Sequence, residues 1–174
     1  MPSLSPINIK NWIEEHRHLL KPPVGNKQIW EGDRDFFVNI VGGPNQRTDY
    51  HIDEGEEFFY QLEGDMTLRV MEDGRRRDIV IHEGEIFLLP PRVPHSPQRP
   101  AGTLGLIIER RRLPEEKDGL VWYCEKCNEK LRELEFQLGD FDQFRATIDE
   151  FYASSEARTC RKCGTVLEPP AVAG

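Results

Sequence analysis

The chain has 174 residues, enough for one domain of ordinary size and a small appendage. Hydrophobic residues make up 37% and charged residues 31%, with a formal net charge of -8. This is the composition of a folded protein, and its acidity argues against a nucleic-acid partner, which requires a concentrated basic face. No segment has the apolar length of a membrane helix, and the N-terminus lacks a secretory pattern. We therefore expect a cytoplasmic protein without membrane contact.

In chain order, the first predicted element is a short amphipathic helix from Asn11 to Leu20. From Gln28 to about Arg112 the pattern changes to short β-branched, aromatic and leucine-rich runs, separated by turn signals such as Asp73-Gly74. The runs are QIW, DFFVNIV, EEFFYQL, DMTLRVM, RDIVIH, EIFLLP and LGLIIERRR. Many short strands at this spacing predict a β-sandwich or a closed barrel.

The composition shifts after Leu113-Pro114, and we place a domain boundary there. Residues 1–113 would form a catalytic barrel with its N-terminal helical segment, and residues 114–174 a C-terminal extension. Helical character within the extension runs from about Phe141 to Phe151.

The extension carries the four cysteines as two Cys-x-x-Cys pairs with 32 residues between them: Cys124, Cys127, Cys160 and Cys163. Two such pairs on turns predict a tetrahedral thiolate metal site that resembles rubredoxin. Iron and zinc both suit four thiolates, so the metal stays open. We favour a structural role over electron transfer, because the site would staple a segment with little core of its own.

A second metal site is suggested by DYHIDEGEEFFYQLEG, residues 49–64. Alternate residues of an extended chain share a face, which groups Arg47 with His51 before a turn, and Glu57 with Phe59 after it. A hairpin with residues 52–56 as its turn would bring His51 beside Glu57. Taken alone, these residues favour an ordinary acidic hairpin over a metal site.

His95 supplies the second half of this pattern. It follows the run EIFLLP in a predicted proline-rich turn, where Pro91, Pro94 and Pro97 restrict the backbone. Two histidines and one carboxylate on the strands of a barrel suit non-haem Fe(II), with zinc as the main rival.

These segments resemble the two motifs of the cupin superfamily. The motifs read Gly43-x7-His51-x5-Glu57-x6-Gly64 and Gly84-x5-Pro90-x4-His95. Asp49 stands where cupins usually have a further histidine, so the resemblance implies three metal ligands: His51, Glu57 and His95. Arg92 stands where cupins usually have glycine. The implied fold is mainly β: a cupin double-stranded β-helix or jelly-roll barrel, with short helices and the small four-cysteine extension.

A closer resemblance is to the 3-hydroxyanthranilate 3,4-dioxygenase family. It is carried by GGPNQRTDYH, EEFFYQL, FLLPPRVPHSPQRP and IIERRR, and it covers nearly the whole chain, including the cysteine-bearing tail of the shorter bacterial form. It implies a homodimeric enzyme with catalytic Fe(II) and a second iron or zinc in the tail. The implied reaction is O₂-dependent opening of 3-hydroxyanthranilate to 2-amino-3-carboxymuconate semialdehyde, the precursor of quinolinate.

The resemblance also implies roles for individual residues. Arg47 and Arg99 would bind the substrate carboxylate, and Glu109 would accept the hydroxyl proton. Each has an ordinary alternative: the arginines could lie on the surface, and Glu109 could pair with the following arginines, residues 110–112.

Three further residues complete the expected site. Phe59 and Pro97 would be apolar pocket walls, although Phe59 fits core packing equally well. Asp49 would orient Arg47 or a metal ligand from behind.

Two other functions fit the cupin motifs. One is a different cupin dioxygenase or isomerase that acts on another small acid. The other is a non-catalytic sugar- or ligand-binding module whose tail makes protein contacts. Metal content separates the binding module from the enzymes, because a binding module needs no Fe(II) and consumes no O₂.

Overall fold

Residues 5–21, 25–32, 34–137 and 141–170 are described in the structure, a computed structural model, except for the side chains of residues 141–145. These parts of the chain contain eleven strands and three α-helices. The strands are β1 Asn26–Gln28, β2 Phe36–Gly42, β3 Asp49–Ile52, β4 Glu57–Glu63, β5 Met66–Glu72, β6 Arg75–Ile81, β7 Ile86–Leu89, β8 His95–Gln98, β9 Leu104–Arg110, β10 Asp118–Tyr123 and β11 Lys130–Phe136. The helices are α1 Ile9–His16, α2 Phe141–Ala153 and α3 Ser155–Arg158.

The strands form two antiparallel sheets. One has the order β1-β2-β9-β4-β7, and the other has the order β11-β10-β3-β8-β5-β6. Alternate residues of β4 are buried, as expected for a strand with one face toward a core. Side chains from both sheets meet in one core that includes Phe59, Leu68 and Ile107. The predicted fold class, mainly β with short helices, is confirmed.

The predicted hairpin around residues 52–56 is wrong. β3 lies in the six-stranded sheet and β4 in the five-stranded sheet, so the connection crosses between sheets instead of reversing within one. A turn closes this crossing, because the Gly55 amide donates to Oδ1 of Asp53 at 2.8 Å. His51 and Glu57 therefore face each other across the barrel rather than along one ladder.

His95 lies on strand β8, where a turn was predicted. It pairs with His51 on β3, and the strand continues through Pro97 to Gln98 on the β5 side. Proline lacks an N–H group and is normally excluded from a central strand. Pro97 fits because β8 pairs with β3 only at His95, so no hydrogen bond to β3 is expected from Pro97.

The N-terminal helix is confirmed, but it begins and ends earlier than predicted, at Ile9 and His16, and a 3₁₀ turn over Arg17–Leu19 follows it. Asn8 caps α1 by accepting a hydrogen bond from the Asn11 amide at 3.1 Å, which sets its start. Trp12 and Ile13 pack with Leu20, Ile40 and Leu104 in a second buried cluster. The helix thereby covers the outer face of β2.

The chain beyond residue 113 contributes directly to the six-stranded sheet. β10 pairs with β3 on one side and with β11 on the other. α2 packs Phe151 against Trp122 of β10, with ring centroids 4.6 Å apart. The division into residues 1–113 and 114–174 stays a prediction. Among the described residues, no helix combines the length and apolarity required to cross a membrane.

Candidate active site

Three metal-ligating side chains converge inside the barrel. His51 lies on β3, Glu57 begins β4, and His95 begins β8. One ligand atom from each lies within 4.8 Å of the other two. Strand pairing causes this convergence, because β3 and β8 place the two histidines opposite each other and β4 presents Glu57 from the facing sheet.

Each histidine has one ring nitrogen held by a neighbouring acceptor. Nδ1 of His95 lies 3.0 Å from the carbonyl oxygen of Val93, and Nε2 of His51 lies 3.1 Å from Oδ2 of Asp118. If each of these nitrogens carries the proton, the other nitrogen of the ring is left with a free lone pair. Metal-binding histidines in proteins are usually held in this way.

The contact between His95 and Glu57 tests whether the site fits a metal ion. Nε2 of His95 lies 2.8 Å from Oε2 of Glu57, yet that buried oxygen has no hydrogen bond. Burial opposes the charged form of both groups, but each partner favours charge on the other, so the pKa of Glu57 is lowered and that of His95 is raised. The unbonded carboxylate oxygen and the imidazole nitrogen point to one place, on which His51 also converges, so a metal ion there would be bound by all three side chains. The donor set therefore fits a non-haem metal.

These three residues line a cavity of about 590 Å³ between the two sheets. Every other residue predicted for the catalytic site lines the same cavity: Arg47, Asp49, Phe59, Pro97, Arg99 and Glu109. Neither arginine is therefore an ordinary surface residue. Phe59 also belongs to the core cluster between the sheets, so it both packs the barrel and faces the cavity.

Arg99 is buried without a counter-carboxylate. The residue is only 1% exposed, and its Nη1 donates to Oε1 of Gln61 at 3.1 Å. No described carboxylate forms an ion pair with it, and its Nε has no partner. Burial lowers the pKa of Arg99 to about 10, which leaves the guanidinium charged at neutral pH. A buried and uncompensated cation that faces a cavity is suited to hold an anion.

Arg47 lies two residues before the start of β3, and it has its own carboxylate partner. Its guanidinium forms an ion pair with Asp49, with Nε 3.0 Å from Oδ2. Burial lowers the pKa of Arg47, but Asp49 outweighs this effect and holds it above the usual value. The backbone carbonyl of Arg47 also accepts from Nε2 of Gln98 at 2.9 Å, which ties its loop to β8. The contact predicted between Asp49 and Arg47 is present.

Glu109 both faces the cavity and pairs with one of the arginines that follow it. It lines the cavity at the end of β9, opposite Glu57 in the strand register. Its Oε2 also accepts a hydrogen bond from Nη1 of Arg112 at 2.7 Å. Burial raises the pKa of Glu109 and the nearby Glu57 raises it further, while Arg112 opposes them.

Several residues of the cavity wall were not predicted from the sequence, among them Arg112, Asp118, Phe136 and Ile148. Nothing in the sequence indicates that β10 lies next to β3, and this neighbour relation is what brings Asp118 to His51.

The four cysteines form a second cluster, as predicted. Their sulfur atoms lie within 4.8 Å of one another, and the shortest described pairs are 3.5 and 3.6 Å apart, too long for disulfide bonds. Each pair sits on a turn of the same form, because Asn128 and Gly164 have positive φ and donate their amides to the carbonyls of Cys124 and Cys160. Four convergent thiols fit a tetrahedral metal site.

The sequence matches the family model 3-HAO, 3-hydroxyanthranilic acid dioxygenase, over residues 1–152. The chain belongs to this family. A relative from Xanthomonas campestris pv. campestris (strain B100), named 3-hydroxyanthranilate 3,4-dioxygenase, is 60% identical over 166 residues, which are 95% of this chain and 93% of the relative. A relative of the same name from Jannaschia sp. (strain CCS1) is 53% identical over 175 residues, with 98% and 97% covered. The predicted family resemblance is confirmed.

Among solved structures, a cupin-2 domain containing protein from Shewanella frigidimarina aligns with 60% of this chain and 94% of its own, at a TM-score of 0.48 and 21% identity. A Neisseria meningitidis protein, NMB1881, aligns with 62% of this chain and 100% of its own, at a TM-score of 0.49 and 20% identity.

Proposed function

We propose that this chain is a 3-hydroxyanthranilate 3,4-dioxygenase, which opens the aromatic ring with O₂ to give 2-amino-3-carboxymuconate semialdehyde, the precursor of quinolinate. One observation carries the proposal. A three-donor metal cluster shares its cavity with a buried arginine, Arg99, that has no carboxylate partner among the described residues. A substrate with a carboxylate, an amine and a hydroxyl on three adjacent ring carbons complements both features, because the carboxylate suits the arginine and the amine and hydroxyl suit the metal.

The proposed catalytic metal is Fe(II), held by His51, Glu57 and His95. Two imidazoles and one carboxylate are the donor set of many Fe(II) oxygenases, and this set leaves coordination positions for substrate and O₂. Bound Fe(II) would supply the redox chemistry that activates O₂ toward the ring. Zinc accepts the same donors but has no redox chemistry, which favours iron for this reaction.

The two arginines would bind and orient the substrate carboxylate. Arg99 offers a fixed planar fork in a low-dielectric wall, where a charge-assisted hydrogen bond is strong. Arg47, nearer the solvent, is held by Asp49 and would contact the same carboxylate or negative charge that develops on oxygen. Phe59 and Pro97 would pack against the ring and exclude water.

Glu109 would act as the general base for the substrate hydroxyl. Arg112 bonds only its Oε2, so Oε1 is the oxygen left to take the proton. Burial raises the pKa of Glu109, which makes it a stronger base than an exposed glutamate.

The test is anaerobic loading with Fe(II), followed by addition of 3-hydroxyanthranilate and O₂. We expect uptake of one O₂ per substrate with growth of the product absorbance, loss of both in His51→Ala, and full activity in the control His18→Ala, whose side chain is exposed on the N-terminal segment. No uptake by a verified iron-loaded protein would remove the assignment. The cavity would then belong to another small acid, to be sought by ligand screening.

We infer a structural role for the second metal, iron or zinc, in the four-cysteine site. The two cysteine turns flank a small cluster in which Trp122, Phe151 and Leu167 are buried. A metal there would join the start and the end of the extension and hold this cluster together.

We also infer a homodimer that forms through the outer face of the five-stranded sheet. Val38, Ile108, Phe58 and Leu88 lie side by side across four strands of this face. Leu88 and its neighbour Ile86 are 52% and 65% exposed. A continuous apolar row on a sheet is typical of a protein contact surface, and a second copy provides a self-complementary partner. The cytoplasmic location stays a prediction.

A further inference from the structure

A buried ionic cluster lies at the wall of the cavity, centred on Arg112. The side chain of Arg112 is 7% exposed, and it contacts three carboxylates. Its Nε donates to Oδ1 of Asp118 at 2.7 Å, its Nη1 donates to Oε2 of Glu109 at 2.7 Å, and Nη1 lies 3.0 Å from Oδ2 of Asp53.

Two of these contacts lead to the proposed catalytic groups. Asp118 lies 3.1 Å from Nε2 of His51, a metal ligand, and it also accepts from Nη2 of Arg112 at 3.1 Å. Glu109 is the proposed base. A single guanidinium therefore touches the carboxylate behind a metal ligand and the carboxylate that would receive the substrate proton.

The position of Arg112 in the fold makes this connection unusual. It lies on the segment between β9 and β10, where the chain passes from the five-stranded to the six-stranded sheet. Glu109 belongs to the first sheet, while His51 and Asp118 belong to the second. Arg112 therefore links the base to the ligand across two sheets that no strand ladder connects.

We propose that Arg112 is a positioning residue that sets Glu109 and His51 in one geometry across the two sheets. The predicted effect of Arg112 on turnover rests on the proposed function. Its predicted effect on His51 rests on the metal site alone. Arginine suits this task because its planar fork donates in several fixed directions, whereas lysine concentrates its charge at one freely rotating point. Such outer partners of metal ligands typically affect metal affinity or activity by about 10–100-fold.

The ordinary alternative is a buried ion network that only stabilises the fold. Arg112→Lys distinguishes the two, since it keeps the charge among three carboxylates but removes the fork. The matched control is Arg110→Lys, two residues earlier, whose guanidinium pairs with Glu116 outside the cavity.

We expect Arg112→Lys to lower kcat about 10–100-fold, to change KM for 3-hydroxyanthranilate by less than about threefold, and to release Fe(II) faster than the wild type. KM should be spared because Arg47 and Arg99 are untouched. Iron release is measured anaerobically with a coloured chelator, on protein whose cysteine site already holds zinc. Arg110→Lys should match the wild type in all three quantities.

If Arg112→Lys lowers only the unfolding temperature, with kcat and iron release unchanged, the proposal is overturned. Should that variant fail to fold, Asp118→Asn serves instead, because it conserves shape and should still speed iron release. Unchanged iron release in folded Asp118→Asn would also overturn the proposal. A wild type that consumes no O₂ would refute the proposed function, while the chelator experiment would still decide whether the cluster holds His51.

Discussion

At the scale of single residues, the environment of Arg99 shows how the barrel prepares for an anion. Gln61 satisfies one guanidinium nitrogen, and the absence of any described carboxylate partner leaves the charge uncompensated. A bound substrate carboxylate would pair with this charge. Binding of the correct acid should therefore be favoured over binding of a neutral analogue, which leaves the buried charge unpaired.

The position of Arg99 depends on a glycine. Gly105 lies opposite on β9, and a Cβ atom there would stand 2.6 Å from Nη1 and 2.9 Å from Nη2 of Arg99. Real Cβ contacts are essentially never this short, so Gly105→Ala must displace the guanidinium. We expect KM for 3-hydroxyanthranilate to rise about tenfold or more, because one charge-assisted hydrogen bond to the substrate is lost. The effect on kcat should be smaller.

Steady-state O₂ uptake gives both constants, and urea unfolding checks that the Gly105→Ala protein is folded. An unchanged KM in a folded variant would show that Arg99 does not bind the substrate. It would transfer the role of anchor to Arg47.

At the scale of elements, α2 is fastened to the cavity wall by one hydroxyl group. The Tyr152 hydroxyl lies 2.7 Å from Oγ1 of Thr48 and accepts from Nε1 of Trp122 at 2.9 Å. Thr48 follows Arg47 in the chain, and Ile148 on the same helix lines the cavity. The helix, the arginine and the pocket wall are thus joined at one point.

Tyr152→Phe should destabilise the protein by about 1–3 kcal/mol, because the buried N–H of Trp122 loses its acceptor. It should also raise KM for the substrate, since the Arg47 loop and the wall formed by Ile148 lose a shared anchor. Urea unfolding and O₂ uptake measure the two effects. Tyr123→Phe, in β10 and facing away from the cavity, is the control and should affect neither quantity. A Tyr152→Phe protein with unchanged KM would restrict the role of α2 to stability.

At the scale of the whole molecule, the thiolate site and the active site share one sheet. Trp122 on β10 packs against Phe151 of α2 and stands two residues before Cys124, and β10 also pairs with β3, which carries His51. Loss of the metal from the four-cysteine site should therefore destabilise the extension first, and disturb the proposed metal ligands of the active site only afterwards.

Cys124→Ser should lower the unfolding temperature and the content of the tail metal, while kcat per bound active-site iron stays similar below that temperature. The reason is that ring opening by O₂ needs no electrons from outside, and a structural staple acts on folding alone. Metal analysis, thermal unfolding and O₂ uptake are the measurements. A selective loss of kcat in a folded, iron-loaded variant would contradict the structural role and favour electron transfer.

The proposed dimer face makes a prediction at the same scale. Leu88→Glu places a charge at the exposed end of the apolar row, on the edge strand β7, and should shift the protein toward monomer in sedimentation experiments. Val80→Glu is the matched control, because Val80 is 50% exposed on β6 of the other sheet. If both variants sediment like the wild type, the proposed face is wrong.

Much of the site was predictable from the sequence because its residues stand in short motifs. His51, Glu57 and His95 follow from motif spacing, and the paired Cys-x-x-Cys motifs predicted the thiolate cluster. The wrong predictions concern how short segments pair in the sheets. The hairpin between β3 and β4 was wrong because the four-residue connection, 53–56, fits either a reversal within a sheet or a crossing between sheets, and local residues do not distinguish them.

By itself, the sequence predicted a mainly β fold and which strand residues face inward, and its motifs carried the family resemblance and the three candidate metal donors. These depend on spacing and on the alternation of the extended chain, which are local properties. Only the tertiary structure decided that Arg99 lacks a carboxylate partner, that Asp118 stands behind His51, and that Arg112 joins the two sheets. Those relations depend on which strands become neighbours, and that choice results from burial of the whole core rather than from any segment of the chain.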